Sequence, residues 1–238
     1  MSELATDREA PRKKVKTASS TLATTVYDRI RSDILSGALS PEKKLRTEEL
    51  RELYEAGNSP IREALNRLSS DGFVVREEQR GFHVASVSRA ELHELVKTRC
   101  WLEETALRQS IANGDDAWEE KLVVVHHRLS KVPRFTDEEN YARNPEWETQ
   151  HREFHMALIS ACGSRWLIGF CEQLHDQSDR YRQLAVATSF PARDPKDEHL
   201  AIFSAAIARD ADTAVDLLCN HYKRTAKIID TSGSTFID

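Results

Sequence analysis

No stretch of the 238-residue chain approaches the roughly 18 apolar residues that a membrane-spanning helix needs. The first ten residues, MSELATDREA, lack the basic start and apolar run of a secretory signal. These absences lead to the expectation of a cytoplasmic protein with no membrane partner. Cysteine is sparse, at Cys100, Cys162, Cys171 and Cys219, and no two residues form a CxxC. Each lies in an apolar, helix-like setting, so buried free thiols are expected rather than a disulfide framework. Internal repeats and low-complexity tracts are missing. So is an excess of positive charge: 34 Lys and Arg against 39 Asp and Glu leave −5. That balance is unlike a chain that meets nucleic acid over its whole surface.

The charge that is present is uneven. Residues 1–90 carry 16 basic and 14 acidic side chains, and residues 91–238 carry 18 and 25, so +2 precedes −7. A mildly basic N-terminal part on an acidic body suits two domains, of which the first alone meets phosphates.

Residues 1–20 read as a disordered polar tail, with the basic run PRKKVK at 11–16. Val26, Ile30 and Ile34 then recur on one helical face, and Gly37 and Pro41 close that helix. A second helix is expected from Thr47 as N-cap, with Glu48 and Glu49 in its first turn and Leu50 and Leu53 facing inward. A third is expected from Ser59 as cap and Pro60 at the first helical position, with Ile61, Ala64, Leu65 and Leu68 as its apolar stripe. Two short helices joined by a tight turn form a helix-turn-helix. Phe73–Val75 and Phe82–Val84 alternate like strands around a polar turn, a β-hairpin wing.

After residue 88 no strand is expected. Helices are read at about 89–113, 116–130, 146–161, 164–187, 194–209 and 211–230, punctuated by Asn113-Gly114, Pro133, Cys162-Gly163 and Pro191. Asp210 ends one helix and Asp212 is placed to cap the next. Trp101, Trp118, Trp147 and Trp166 are read as packing residues. The fold class is therefore mainly α. A winged helix-turn-helix spans 21–87, an all-helical antiparallel bundle of six or seven helices spans 88–232, and a flexible tail covers 233–238.

A helix that reads the major groove needs free side chains at its N-terminal end. Asn58, Ser59 and Arg62 cluster there, with Arg67 at the edge of the apolar stripe. Arg46 and Thr47 open the preceding helix, where free N–H groups favour phosphate. Arg80 and Gly81 form the wing tip, suited to close approach to the backbone and to the minor groove. In the second part, His151 and His155 are four residues apart on one helix, and His199 and His221 lie on two later helices. Imidazoles gathered in a bundle core suit Zn²⁺, Ni²⁺ or a similar divalent ion, although a surface pair has the same spacing.

The segments LRTEEL at 45–50, SPIREALNRLSSDGFV at 59–74 and RGFHV at 80–84 closely resemble the DNA-binding domain of the GntR family of bacterial regulators. The resemblance carries that family's DNA contacts onto Arg46, Arg62 and Gly81, with Ser59 in the threonine/serine place. Asn58 stands where many members have arginine, so an adenine could be read in place of a guanine. Residues 91–230 resemble the helical ligand-binding (FCD) domain of the FadR-type branch in its metal-containing form. HREFH at 151–155, the stretch from Glu198 to Val215 and NHY at 220–222 carry that likeness. It implies His155, His199 and His221 as ligands, with His151 where aspartate is usual. That exchange favours Zn²⁺ or Ni²⁺ over Mn²⁺ and removes a negative charge. The family's effector-binding arginine falls on Arg99, beside Glu103, with an internal salt bridge to Glu103 or Glu94 as the competing reading. Arg152, Tyr181 and Arg182 are further candidates for the effector pocket.

The stretches at 54–85, ACGSRWL at 161–167 and LHDQSDRYRQLA at 174–185 resemble a subgroup of carbon-starvation-induced repressors. This implies short dicarboxylate effectors such as glutarate or 2-hydroxyglutarate. The expectation is a homodimeric, ligand-responsive repressor of a palindromic operator in double-stranded DNA, and not an enzyme. Two alternatives stand beside it: a metal-dependent hydrolase with Glu198 as base, and an effector-independent architectural DNA binder.

Overall fold

Apolar residues spaced three and four apart become helices along most of the chain. The computed structural model describes residues 21–137, 142–186 and 194–231. The expected tails at 1–20 and 233–238, the run at 11–16 and the break at Pro191 lie outside these residues.

Thr21 caps α1 (Leu22–Leu35), its Oγ1 accepting from the Thr24 N–H at 3.3 Å. The helix buries Val26, Ile30 and Ile34 against α3 (Asn58–Ser70), whose stripe of Ile61, Ala64, Leu65 and Leu68 is sealed from solvent. Between them lies α2 (Thr47–Tyr54). Leu50 faces inward as read, but Leu53 is exposed and Tyr54 takes the inner place. A helix turns in 3.6 residues, so the fourth residue on lies nearer the face of Leu50 than the third. The Tyr54 hydroxyl donates to Asp33 at 2.6 Å. The capping expectations also shift by one or two residues. Arg46 stands at the cap of α2 and Gly57 at the cap of α3, neither with a side-chain cap bond. Pro60 is tolerated within the first turn because the N–H it lacks has no helical partner there. Ser59 therefore lies inside the helix, exposed, with its hydroxyl unused as a cap.

The wing is larger than a hairpin. Strands β2 (Val74–Glu77) and β3 (Gly81–Val84) pair antiparallel, Val74 opposite Val84 and Glu77 opposite Gly81. A third strand, β1 (Lys44–Leu45), joins the other edge of β3, giving the order β1-β3-β2. Two residues are too few for a period to be read from sequence. At the tip, Gln79 and Gly81 both take positive φ, 63° and 87°, and glycine enters that region without Cβ strain.

Six helices follow among the described residues: α4 (Arg89–Asn113), α5 (Asp116–Lys131), α6 (Pro145–Ile159), α7 (Arg165–Val186), α8 (Lys196–Ile207) and α9 (Ala211–Thr231). They enclose a second core, separate from that of the winged helix. A short antiparallel pair, β4 (Phe135–Asp137) and β5 (Ala142–Arg143), corrects the expectation of no strand here. Trp118 and Trp147 are packing residues; the Trp118 indole donates to the Ala157 carbonyl at 2.9 Å. Trp101 and Trp166, 59% and 70% exposed, are not. They lie on outer helix faces under the cations of Lys97 and Arg165. Asp210, not Asp212, caps α9 by accepting from the Thr213 N–H at 3.1 Å, while Asp212 pairs with Arg108 at 2.6 Å. All four cysteines are buried and free.

Helix α7 touches both cores. Asp176 accepts from Arg31 of α1 at 3.1 Å and also from Arg152 of α6. Gln177 donates to the carbonyl of Asp71, at the end of α3. Arg180 donates to the carbonyls of Ala85 and Ser86, in the segment joining wing to bundle.

Gly114 packs where no side chain fits. A Cβ there would lie 2.4 Å from Trp118 Cε3 and 2.7 Å from the Ser110 carbonyl. Gly114→Ala is expected to lower stability by about 1–3 kcal/mol, read as an earlier urea midpoint with an unchanged slope.

Candidate functional site

Two constellations carry chemistry. The first is an open groove between the wing and the N-terminal ends of α2 and α3. Lys44, Arg46, Thr47, Asn58, Arg62, Arg76, Arg80 and Gly81 line it. The structure thus brings together most of the expected DNA-facing residues. It adds Lys44 and Arg76, which the hairpin pattern left without a face because the third strand was not visible. Arg46 pairs with Glu49 at 3.1 Å and Arg80 with Glu77 at 2.9 Å, both in solvent, where such pairs exchange readily for phosphate. Ser59 and Arg67 line the adjoining exposed face of α3 together with Asn58 and Arg62, and the Arg67 guanidinium also stacks on Tyr27, 4.3 Å from the ring centroid, and donates to Thr24. It buttresses α1.

The second constellation is the histidine cluster. One turn of α6 places His151 and His155 on the same buried face; α8 supplies His199 and α9 His221. One nitrogen from each of the four lies within 4.8 Å of the others. His151 Nε2 and His155 Nε2 face each other at 3.2 Å. Two ligands of one tetrahedral zinc ion lie about 3.3 Å apart, so the spacing fits. Burial, then neighbouring imidazoles, hold His151 and His155 far below the usual histidine range. They are neutral, the form that binds a metal.

The surrounding groups orient these rings. Tyr222 donates its proton to Glu103 and so accepts from His155 Nδ1, 3.1 Å away, leaving the Nε2 lone pair turned toward His151. His221 Nδ1 donates to Glu198 at 3.0 Å, and Glu198 also accepts from Arg224 at 3.1 Å. Carboxylates behind imidazoles are a recurrent support for metal ligands. The bonds from His221 and Arg224 also occupy Glu198, which the hydrolase reading required as a free base. The donor set could hold a divalent ion.

Arg99 is buried beside the cluster. Its Nε donates to Glu103 at 2.8 Å, its guanidinium lies 3.9 Å from the centroid of the Tyr222 ring, and one amino group meets His175 Nδ1 at 3.4 Å. Desolvation lowers its pKa, but Glu103 and Tyr222 outweigh it and raise the net value. Arg182 is held by Glu148 and Asp179, Arg152 by Asp176, and the Tyr181 hydroxyl donates to Glu91. Among the effector candidates, Arg99 and Glu103 thus stand against the cluster, whereas the Tyr181 hydroxyl is directed to the start of α4. His175 and Asp179 were missed. Burial draws His175 down to about 3. Burial opposes ionisation of Asp179, yet Arg182 and His175 hold it at about 2. Their i,i+4 spacing on α7 was as visible as that of His151 and His155. A cavity of about 550 Å³ borders the cluster at His199 and Trp147, with Lys131, Arg134 and Lys196 also in its wall.

Comparison with known proteins places these features in families. Residues 22–84 match the bacterial regulatory proteins, gntR family, and residues 94–224 match the FCD domain. The chain is 39% identical over 207 residues to the uncharacterized HTH-type transcriptional regulator BphR of Paraburkholderia xenovorans (strain LB400), covering 87% of this chain and 84% of that one. It is 33% identical to the HTH-type transcriptional repressor GlaR of Escherichia coli (strain K12), covering 85% and 93%. Among solved structures, E. coli McbR/YncC shares the fold, with a TM-score of 0.71 at 22% identity over 89% of this chain and 98% of that one.

The buried histidines set a pH dependence. Below pH ~6.5 the unfolded chain takes up protons that folded His151, His155 and His175 exclude, so stability falls as pH falls. Each such histidine contributes at most about 1.4 kcal/mol per pH unit. Metal-free protein is expected to lose urea resistance steeply between about pH 6.5 and 4.5, before the carboxylate range is reached. A variant with all three histidines replaced by glutamine should show a flatter profile.

Proposed function

Because the chain belongs to the gntR family of bacterial regulatory proteins and carries an FCD domain, it is a transcriptional regulator, and we propose that it is a dimeric cytoplasmic repressor released from DNA by a small carboxylate. In this reading the groove around Arg62 meets a palindromic operator, with Arg62, Ser59 and Asn58 toward the bases and Arg46, Thr47, Arg80 and Gly81 toward the backbone. Residues 21–87 form the DNA-reading unit and 88–232 the sensing and dimerising unit. The exposed Trp101, Trp166 and Phe170 on α4 and α7 support a dimer contact in the second unit.

The observation that carries the sensor reading is the set of four buried imidazoles beside a buried arginine. His151, His155, His199 and His221 would hold Zn²⁺ or Ni²⁺, whose chemistry is to attract an anionic oxygen. A short acid such as glutarate or 2-hydroxyglutarate would place a carboxylate there. Arg99 would meet it by sharing a guanidinium now turned to Glu103 and His175.

The coupling runs through α7. Its His175 and Asp179 face the sensor, and its Asp176, Gln177 and Arg180 grip the winged helix. An acid that favours one placement of α7 shifts the winged helices of a dimer in or out of operator spacing.

A mobility shift on the DNA upstream of the protein's own coding sequence, with and without a panel of dicarboxylates, tests this directly. Binding should be lost with one acid; the same binding at all acids would remove the sensor reading. Arg62→Ala should weaken operator binding about 10- to 100-fold. Asp176→Ala should bind operator and acid and yet respond to the acid far less, read as a reduced difference between operator affinities measured with and without it.

A further inference from the structure

His175 is 1% exposed, and its two ring nitrogens have different surroundings. Nδ1 faces an amino group of Arg99 at 3.4 Å. A guanidinium only donates, so Nδ1 accepts and the ring proton sits on Nε2. That Nε2–H has no hydrogen-bond partner among the described residues. Asp179 Oδ1 stands 3.6 Å away, beyond hydrogen-bond reach, and is already bonded to Arg182 at 3.0 Å. A buried N–H left in this way is costly unless a ligand completes it.

His151 stands at the same corner. One nitrogen of His151, one of His175 and one oxygen of Asp179 all lie within 4.8 Å of one another. A donor thus stands beside an acceptor, next to the histidine cluster. An oxygen atom about 2.8 Å from each completes a triangle on that base. A carboxylate oxygen would satisfy His175 but be repelled by Asp179. An ammonium would satisfy Asp179 and leave the His175 N–H orphaned. A hydroxyl accepts from one and donates to the other.

We propose that His175 and Asp179 form a hydroxyl-reading subsite beside the histidine cluster, so that the effector is a hydroxycarboxylate, with its carboxylate toward the cluster and Arg99 and its hydroxyl bridging His175 and Asp179. The assignment rests on the sensor reading above and names the class of acid that the sensor selects. Removing the hydroxyl from the acid leaves a buried donor and a buried acceptor to be filled by water, so the parent acid binds more weakly.

Calorimetry on the zinc-loaded full chain with matched pairs provides the test: 2-hydroxyglutarate and glutarate, malate and succinate, lactate and propionate. In the pair of fitting length the hydroxy acid is expected to bind about 10-fold or more tightly than its parent. His175→Leu should bring that ratio toward one at unchanged zinc content, and His175→Gln, which keeps an N–H donor, should retain part of it. A purely structural role for His175 would weaken both members of the pair equally. A ratio near one in every pair for the unaltered protein, or an undiminished ratio in His175→Leu, would overturn the subsite while leaving the carboxylate sensor intact. Failure of every acid to bind would remove the sensor reading and the subsite together.

Discussion

The Arg99–Glu103 ion pair is the contact on which the interior of the helical domain depends. Both side chains are buried, and one carboxylate takes the Arg99 Nε on one oxygen and the Tyr222 hydroxyl on the other. Removing Glu103 would leave an uncompensated buried guanidinium, a loss of about 3–5 kcal/mol. It would also free the Tyr222 proton, and with it the reason that His155 presents Nε2 to its neighbours. Arg99 in turn decides which nitrogen of His175 carries hydrogen. The tautomers of His155 and His175 follow from this one pair, spaced four residues apart on α4.

Seen from that pair, the competing readings of Arg99 are not exclusive. The salt bridge to Glu103 exists, yet two amino groups of the guanidinium remain for His175 and for an incoming oxygen. Arg's fixed fork makes such sharing possible where a lysine could not. The neighbouring helix α7 repeats the device with Asp176, one carboxylate answering Arg31 of α1 and Arg152 of α6, helices of the two different units.

Much of this was legible in the sequence, for identifiable reasons. The stripe of Ile61, Ala64, Leu65 and Leu68 spells its helix because those residues are simultaneously helical in period and fully buried. The four-residue spacing of His151 and His155 is local and visible, but only the family resemblance joins His199 and His221 to them as a ligand set. What escaped notice depends on partners distant in sequence. β1 exists only through its pairing with β3. Trp101 and Trp166 looked like core by size, and only packing shows them outside. Asp210 and Asp212 were indistinguishable as caps until Arg108 claimed one of them. His175 and Asp179 carried the right spacing, but nothing local says that Arg99 lies opposite.

The grip of α7 on the winged helix has a genetic consequence. Asp176, Gln177 and Arg180 touch neither the DNA-facing groove nor the four histidines, and each holds a group of the N-terminal unit. Under the proposed coupling, altered inducibility would therefore map to a third set of residues, distinct from both proposed recognition surfaces. Single codon changes along one helix would loosen or tighten the joint, producing alleles deaf to the signal or permanently relieved by it. Over longer times, on that proposal, the same helix would let a lineage retune how strongly a gene answers a metabolite without rewriting either the operator alphabet or the pocket.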